Sequence, residues 1–184
     1  NVIDKIEFDI DEIGVPIPFK WGKCKLATIS FGHGITTTPL QLAKGYAIIS
    51  NGGFEVNPSI IREDKKKLIK YKKRIIKENV SKQINRILRK IVTSKEGTAN
   101  LADITGYEIG GKTGTAEKII LGKYSSKKKI NTFASVFPIS KPKFVLVVIL
   151  DEPQINKEYI YNYRDGSNFK LKGSPRNTSG WTSV

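Results

Sequence analysis

The chain has 184 residues, about two-fifths of them hydrophobic, with a formal net charge of +15 and a single cysteine. That length and apolar content fit one domain with a sizeable core and exclude a disordered chain. They also exclude an internal disulfide and any Cys/His metal site, and no stretch approaches the roughly 20 apolar residues of a membrane span.

The charge admits three partners: nucleic acid, an anionic membrane surface, or an acidic polymer. Lys is used far more than Arg and is scattered outside Lys65 to Lys77 and Lys127 to Lys129. Nucleic-acid readers favour Arg for its bidentate fork, so the pattern reads as a solvated surface. Cys24 reads as a small core residue. The first residues, Asn-Val-Ile-Asp, carry neither an initiator Met nor a signal peptide, and the expectation is a chain that starts inside a longer protein.

Residues 1 to 29, with Gly14, Pro16, Pro18 and Gly22, read as loop with short extended pieces. Phe31-Gly32-His33-Gly34-Ile35 is a glycine-flanked turn. A helix follows: Thr38 fits the N-cap, Pro39 the first helical position, and Gln41 closes a capping box. It stops at Asn51-Gly52-Gly53. Residues 54 to 80 read as short strands around a Lys-rich turn, with Ile60-Ile61 and Arg74-Ile75-Ile76 as apolar pieces. Ser81 then caps a second helix with Ile84, Leu88, Ile91 and Val92 on one face, ending at Glu96-Gly97. Three strands are expected, about Lys112 to Ile120, Ile130 to Pro138 and Phe144 to Leu150. Gly122 and Pro142 lie in the short links, so hairpins connect them. Residues 154 to 179 read as polar and irregular. The sum is an α+β architecture, an antiparallel sheet covered by helices.

The chemical signal is Gly111-Lys112-Thr113-Gly114-Thr115. With its flanks it resembles the transpeptidase domain of class B penicillin-binding proteins, of the division and elongation type. The flanks are Gly97-Thr98-Ala99, the run from Gly110 to Glu117, Phe133 and Pro138 on the next strand, Asp151-Glu152-Pro153, and Gly180-Trp181-Thr182. The segment Phe31 to Gly53, with Thr38-Pro39-Leu40-Gln41-Leu42-Ala43 and Tyr46-Ala47, resembles a helix of the same enzymes. The likeness runs from about Trp21 onward in one order.

That resemblance implies an incomplete penicillin-binding protein or serine β-lactamase-like fold. Residues 1–184 would be the C-terminal portion of one transpeptidase domain, with the nucleophile-bearing part upstream. It implies peptidoglycan cross-linking by acyl transfer through a Ser outside this chain, without cofactor or metal. The implied partners are the D-Ala-D-Ala stem peptide, β-lactams, and other cell-wall or division proteins. The implied place is the periplasmic face of the bacterial inner membrane, reached through an N-terminal anchor that the chain lacks.

Each motif residue has a physical task in that setting. Lys112 supplies charge for the substrate carboxylate. Thr113 points away from the cleft, because side chains alternate on a strand. Gly114 lets a ligand approach the backbone. Thr115 offers its hydroxyl to the carboxylate and its backbone N–H to the oxyanion. In the family the second oxyanion donor is the N–H of the nucleophilic Ser.

Three Ser-x-x-Lys pairs occur, Ser125 with Lys128, Ser126 with Lys129, and Ser140 with Lys143. They follow Lys112, whereas the family places its nucleophile well before this motif. They also fall in expected loops among solvated lysines that cannot activate a hydroxyl. No Ser-x-Asn element is present. Ser135 stands where the family often has Gly. His33, the only histidine, sits in a backbone-determined turn and is a poor general base. Two rivals remain, a serine β-lactamase-related hydrolase and a non-catalytic remnant or binding module; a nucleic-acid-binding domain comes last.

Overall fold

The computed structural model describes residues 25–30, 32, 35, 37–59, 73–121, 123–154, 160–162 and 168–170. Cys24, Phe31, His33, Gly34, Ile60-Ile61 and Gly180-Trp181-Thr182 lie outside the described residues. The helices are α1 (Lys25–Ser30), α2 (Pro39–Ser50) and α3 (Glu78–Thr93), and a single 3-10 turn spans Asn100–Ala102. Strands β1 (Gly110–Ile120), β2 (Lys123–Phe137) and β3 (Phe144–Asp151) make an antiparallel sheet in the order β1-β2-β3. Strands β4 (Ile160–Asn162) and β5 (Asn168–Lys170) pair antiparallel as a second sheet. No helix among the described residues is long and apolar enough to cross a membrane.

The start of α2 follows its sequence. The Gln41 N–H donates to Thr38 Oγ1 at 3.2 Å, and the Thr38 N–H donates to Gln41 Oε1 at 3.0 Å. Two otherwise unpaired backbone donors are thereby satisfied. The exit needs glycine: Gly53 has a φ of +87°, and a Cβ there would stand 1.9 Å from the Ile76 carbonyl oxygen.

The start of α3 differs from expectation. The helix begins at Glu78 behind Lys77, which makes no side-chain cap, and Ser81 is buried inside the first turn. Its hydroxyl donates to the Ile49 carbonyl at 2.5 Å and accepts from the Gly52 N–H at 3.1 Å. Asn85 donates to the Ser50 carbonyl at 3.1 Å. Ser81 and Asn85 therefore satisfy carbonyls at the C-terminus of α2, and the two helices meet through polar groups that would otherwise be orphaned.

Three other segments also depart from the sequence reading. Residues 25–30 are helical rather than loop; the run Lys-Leu-Ala-Thr-Ile-Ser holds no helix breaker but is too short to show a period. Between 54 and 77 the described residues hold a single bridge, Phe54 to Arg74, and no strand. Within 154 to 179 the short ladder of β4 and β5 sets Tyr161 opposite Phe169.

The core joins α3 to the sheet. Val92, Ala99, Ala102, Ile109 and Phe133 form one buried cluster, with Ile91, Phe137 and Val148 against it. Gly111 belongs to this packing, since a Cβ there would lie 2.7 Å from Phe133 Cε2 and 2.8 Å from the Ala134 carbonyl oxygen. Ser135, opposite Gly111 in the ladder, is buried, and its hydroxyl donates to the Leu146 carbonyl at 3.4 Å. A small hydroxyl is thus housed beside a glycine, on the face that also carries Phe133.

The β1–β2 ribbon runs well past the core. Its ladder is regular from Gly110 opposite Val136 to Glu117 opposite Lys129, then shifts so that Lys118 faces Ser125. Ser126, Lys127 and Lys128 have no β1 partner in that register. Lys118 anchors the shift: its Nζ lies 2.7 Å from Asp151 Oδ1 and 2.9 Å from Glu152 Oε1, while Lys128 Nζ lies 3.4 Å from Glu152 Oε2. The bonds to Asp151 and then Glu152 push the Lys118 ammonium above its ordinary value, and the bond from Lys118 holds the Glu152 carboxyl below its ordinary value.

The two shifts fix a pH window. The Glu152 contribution is present above the ordinary carboxylate range and is lost as pH falls through its lowered value; the Lys118 contribution is present below the ordinary lysine range and is lost as pH rises through its raised value. Amide protection factors at the root of the ribbon, taken relative to the intrinsic exchange rate at each pH, should fall on acidification in the native chain. In Glu152→Gln that acid step should shrink. An acid step of unchanged size in the variant would assign the dependence to another carboxylate.

Candidate active site

The Lys-Thr-Gly element lies on β1, at one edge of the three-stranded sheet among the described residues. The regular ladder fixes which side chains share a face. Lys112 pairs with Ala134 and Gly114 with Thr132, on one face; Thr113 pairs with Phe133 and Thr115 with Asn131, on the other. Lys112, Gly114 and Thr115 are exposed, and Thr113 is buried at 8 %.

Thr113 therefore turns away from the face that carries Lys112. Its hydroxyl donates to Thr98 Oγ1 at 2.9 Å. Thr98 comes from the turn after α3, so this bond fastens the site strand to the segment that follows the helix. In sequence the Gly97-Thr98-Ala99 run is a flank, and its pairing partner is not legible, because the bond joins residues 15 apart.

Thr115 lies on the face of Thr113. Strict alternation places its side chain with Thr113, opposite Lys112, because no irregularity interrupts the ladder before Glu117. The two side chains cannot project from one face. They converge only on something lying along the strand's open edge, which both faces border.

Lys112 Nζ donates to the carbonyl of its neighbour Thr113 at 2.6 Å. Gly110 and Gly114 flank it on the same face, so the lysine stands between two positions without side chains. Gly110 is a packing requirement, since a Cβ there would reach Ile139 Cδ1 at 2.9 Å. Gly114 has no such reason, as a Cβ there would meet nothing nearer than Thr132 Cβ at 3.9 Å.

The Ser-x-x-Lys pairs are dispersed. Ser125, Ser126, Lys128 and Lys129 lie on β2, an extended strand rather than one helical turn, and Lys128 faces Glu152. Ser140 lies in the turn before β3 and donates its hydroxyl to Glu108. A fourth match, Ser167 with Lys170, escaped the sequence reading; Lys170 closes β5, and Ser167 is outside the described residues.

A cavity of about 460 Å³ among the described residues lies elsewhere, lined by Lys82, Arg86, Arg89, Lys90 and Ser140 among others. None of Lys112, Thr113, Gly114 or Thr115 lines it. Arg89 there is committed to Asp103 at 2.9 Å and to the Ile109 carbonyl at 2.8 Å. The edge of β1 thus remains the candidate site on chemical grounds.

A family profile described as the penicillin-binding protein transpeptidase domain matches residues 3–168. The chain belongs to this family. Among curated relatives, the probable peptidoglycan D,D-transpeptidase PenA of Neisseria flavescens is 34% identical over 140 residues, covering 76% of this chain and 34% of that protein. The peptidoglycan D,D-transpeptidase FtsI of Buchnera aphidicola is 38% identical over 145 residues, covering 79% of this chain and 25% of that protein. The chain therefore spans only 34% and 25% of the length of these two relatives. Among solved structures, the apo transpeptidase domain of Burkholderia pseudomallei penicillin-binding protein 3 superposes with a TM-score of 0.72 at 26% identity, over 80% of this chain and 45% of that one. Penicillin-binding protein 3 of Mycobacterium tuberculosis, complexed with aztreonam, gives 0.68 at 27% identity, over 77% of this chain and 35% of that one. The antiparallel sheet with helices is thus the penicillin-binding transpeptidase fold, as the resemblance implied.

Proposed function

We propose that this chain supplies the substrate-facing strand of a peptidoglycan D,D-transpeptidase whose nucleophilic Ser lies outside residues 1–184. The domain acts in the periplasm, tethered to the inner membrane by a segment beyond this chain. Its ligands are D-Ala-D-Ala stem peptides and β-lactams, and it works beside other wall-synthesis or division proteins.

The observation that carries the proposal is Gly114. A strand glycine with ordinary φ and open space around it has no role in this chain's own packing. It weakens the strand unless something outside the chain must come close. Beside it stands Lys112, a cation that donates to the Thr113 carbonyl, a hydrogen bond that an anionic ligand can replace. On an edge strand, alternate backbone groups face away from the neighbouring strand. Thr113 and Thr115 have the same parity. With the Thr113 carbonyl turned to the edge, the Thr115 N–H is offered there as an oxyanion donor. A substrate lying along that edge meets Lys112 from one face, the Thr115 hydroxyl from the other, and backbone in between. Such preorganised donors stabilise developing charge without reorganising during the reaction.

The division of labour has a direct consequence. The chain alone should show no covalent label after incubation with a fluorescent penicillin, judged by gel fluorescence and intact mass. A longer protein carrying an upstream Ser-x-x-Lys helix should label at that serine. An adduct on Ser125, Ser126, Ser140 or Ser167 would place the nucleophile inside the chain and sink this assignment. A longer protein that folds but never labels would favour the non-catalytic reading.

A further inference from the structure

We propose that the tip of the β1–β2 ribbon is an interfacial docking element for an anionic lipid surface. Its apex carries exposed apolar side chains on both faces. Leu121 is 98% exposed, Ile119 60%, Tyr124 58% and Ile120 40%. Ile119 faces Tyr124 across the ladder on one face of the ribbon, and Ile120 faces Lys123 on the other. A protein groove that received one face would leave the other in water. An apex with apolar side chains on both faces suits a medium entered end-on.

The backbone argues that this exposure is selected rather than incidental. The ladder pairs Ile120 with Lys123 at the end of the ribbon, and Leu121, next in the chain after Ile120, has a φ of +49°. Asn, Asp or Gly occupy such a position without strain. A bulky apolar residue there is strained and fully solvated at once, breaking two local rules with no gain inside the chain. The gain must lie in what the side chain enters.

The dimensions and charges fit a bilayer interface. Ile119 lies two residues behind the apex, about 7 Å along a strand. That matches the roughly 5–10 Å to which interfacial elements bury their apolar side. Behind it come Lys127 and Lys129, a cationic collar near headgroup depth, while Lys118 and Lys128 are paired with Asp151 and Glu152. Lys123 is long enough to extend its ammonium back to that level. Tyr124 has the amphipathic ring that favours a membrane–water boundary. The clamp of Lys118 and Lys128 on Asp151 and Glu152 keeps the ribbon stiff.

The test separates insertion from the attraction that a +15 chain has for any anionic surface. The 184-residue chain is titrated with vesicles of phosphatidylcholine and phosphatidylglycerol in equal parts, and with phosphatidylcholine alone, at low and physiological salt. Wild type should bind the anionic vesicles and retain binding at physiological salt. Leu121→Asn keeps the charge and relieves the turn, so it should fold at least as well yet bind about tenfold or more weakly. Leu121→Trp should shift its emission to the blue on the anionic vesicles. Equal binding by Leu121→Asn, or complete loss of wild-type binding at physiological salt, would reduce the effect to net charge and overturn the proposal. So would a tip Trp that stays solvated with vesicles but shifts on adding a purified wall-synthesis protein, which would assign the tip to a protein groove.

Discussion

Replacing Lys112 by Ala, in the longer protein that supplies the serine, is expected to slow acylation by penicillin by one to two orders of magnitude while the fold survives. The side chain is exposed and takes no part in the buried cluster, so its removal leaves no cavity. What is lost is one charge-assisted hydrogen bond to the ligand carboxylate, about 1.5–3 kcal/mol. At 1.36 kcal/mol per decade that gives the stated range. Thr115→Val should cost less, about threefold to tenfold, because the hydroxyl goes and the backbone N–H remains. Thr113→Val should cost least in acylation, for its hydroxyl serves Thr98 and not the ligand; it should instead lower the melting temperature, since Thr98 loses its donor. Stopped-flow acylation with circular dichroism on each variant reads both effects. If Thr113→Val were the most damaging to acylation with its fold intact, the face assignment of β1 would be wrong. Unchanged acylation in all three variants would remove β1 from the site.

The expected order Lys112, Thr115, Thr113 comes from the sequence, but the strand geometry beneath it is only half legible there. Alternation correctly turns Thr113 from Lys112. The same rule puts Thr115 with Thr113, and only the regular ladder from Gly110 to Glu117 makes that unavoidable. The capping box of α2 is legible because its partners are three residues apart and both side chains are of capping type. Ser81 misleads for the opposite reason. Its residue type fits a cap, but its partners lie 29 and 32 residues away on α2, and no local rule reveals them. The first half of β2 is hidden too. Lys123 to Lys129 has neither the alternation nor the β-branched content of a strand. It is held extended by pairing with β1 and by Glu152 across the root of the ribbon. Long-range polar ties escape a sequence reading; short-range caps and apolar strands do not.

Phe133→Ala should be the most destabilising single change in the described core, by about 3–5 kcal/mol. Its ring is 4% exposed and fills the space between α3 and the sheet, with Val92, Ala99, Ala102 and Ile109 around it. Against a total stability of about 5–15 kcal/mol, such a loss leaves a chain that melts about 10 °C or more below wild type. The neighbouring glycine gives a sharper test of the packing. Gly111→Ala places a methyl 2.7 Å from Phe133 Cε2, and the ring edge or the strand must yield. Overpacking of this kind costs about 1–3 kcal/mol. If the ring edge is the obstacle, Phe133→Leu removes part of the clash, and Gly111→Ala should cost less in that background than in wild type. The remaining cost comes from the Ala134 carbonyl oxygen, 2.8 Å from the same methyl, which no side-chain change relieves. Urea denaturation of the four proteins in the cycle should therefore give a favourable coupling energy of about 0.5–2 kcal/mol between the two sites. Additive costs would mean that the backbone oxygen alone excludes a side chain at Gly111. In that case Gly111→Ala would push β1 away from β2, and acylation should fall with stability, because Lys112 follows on the same strand.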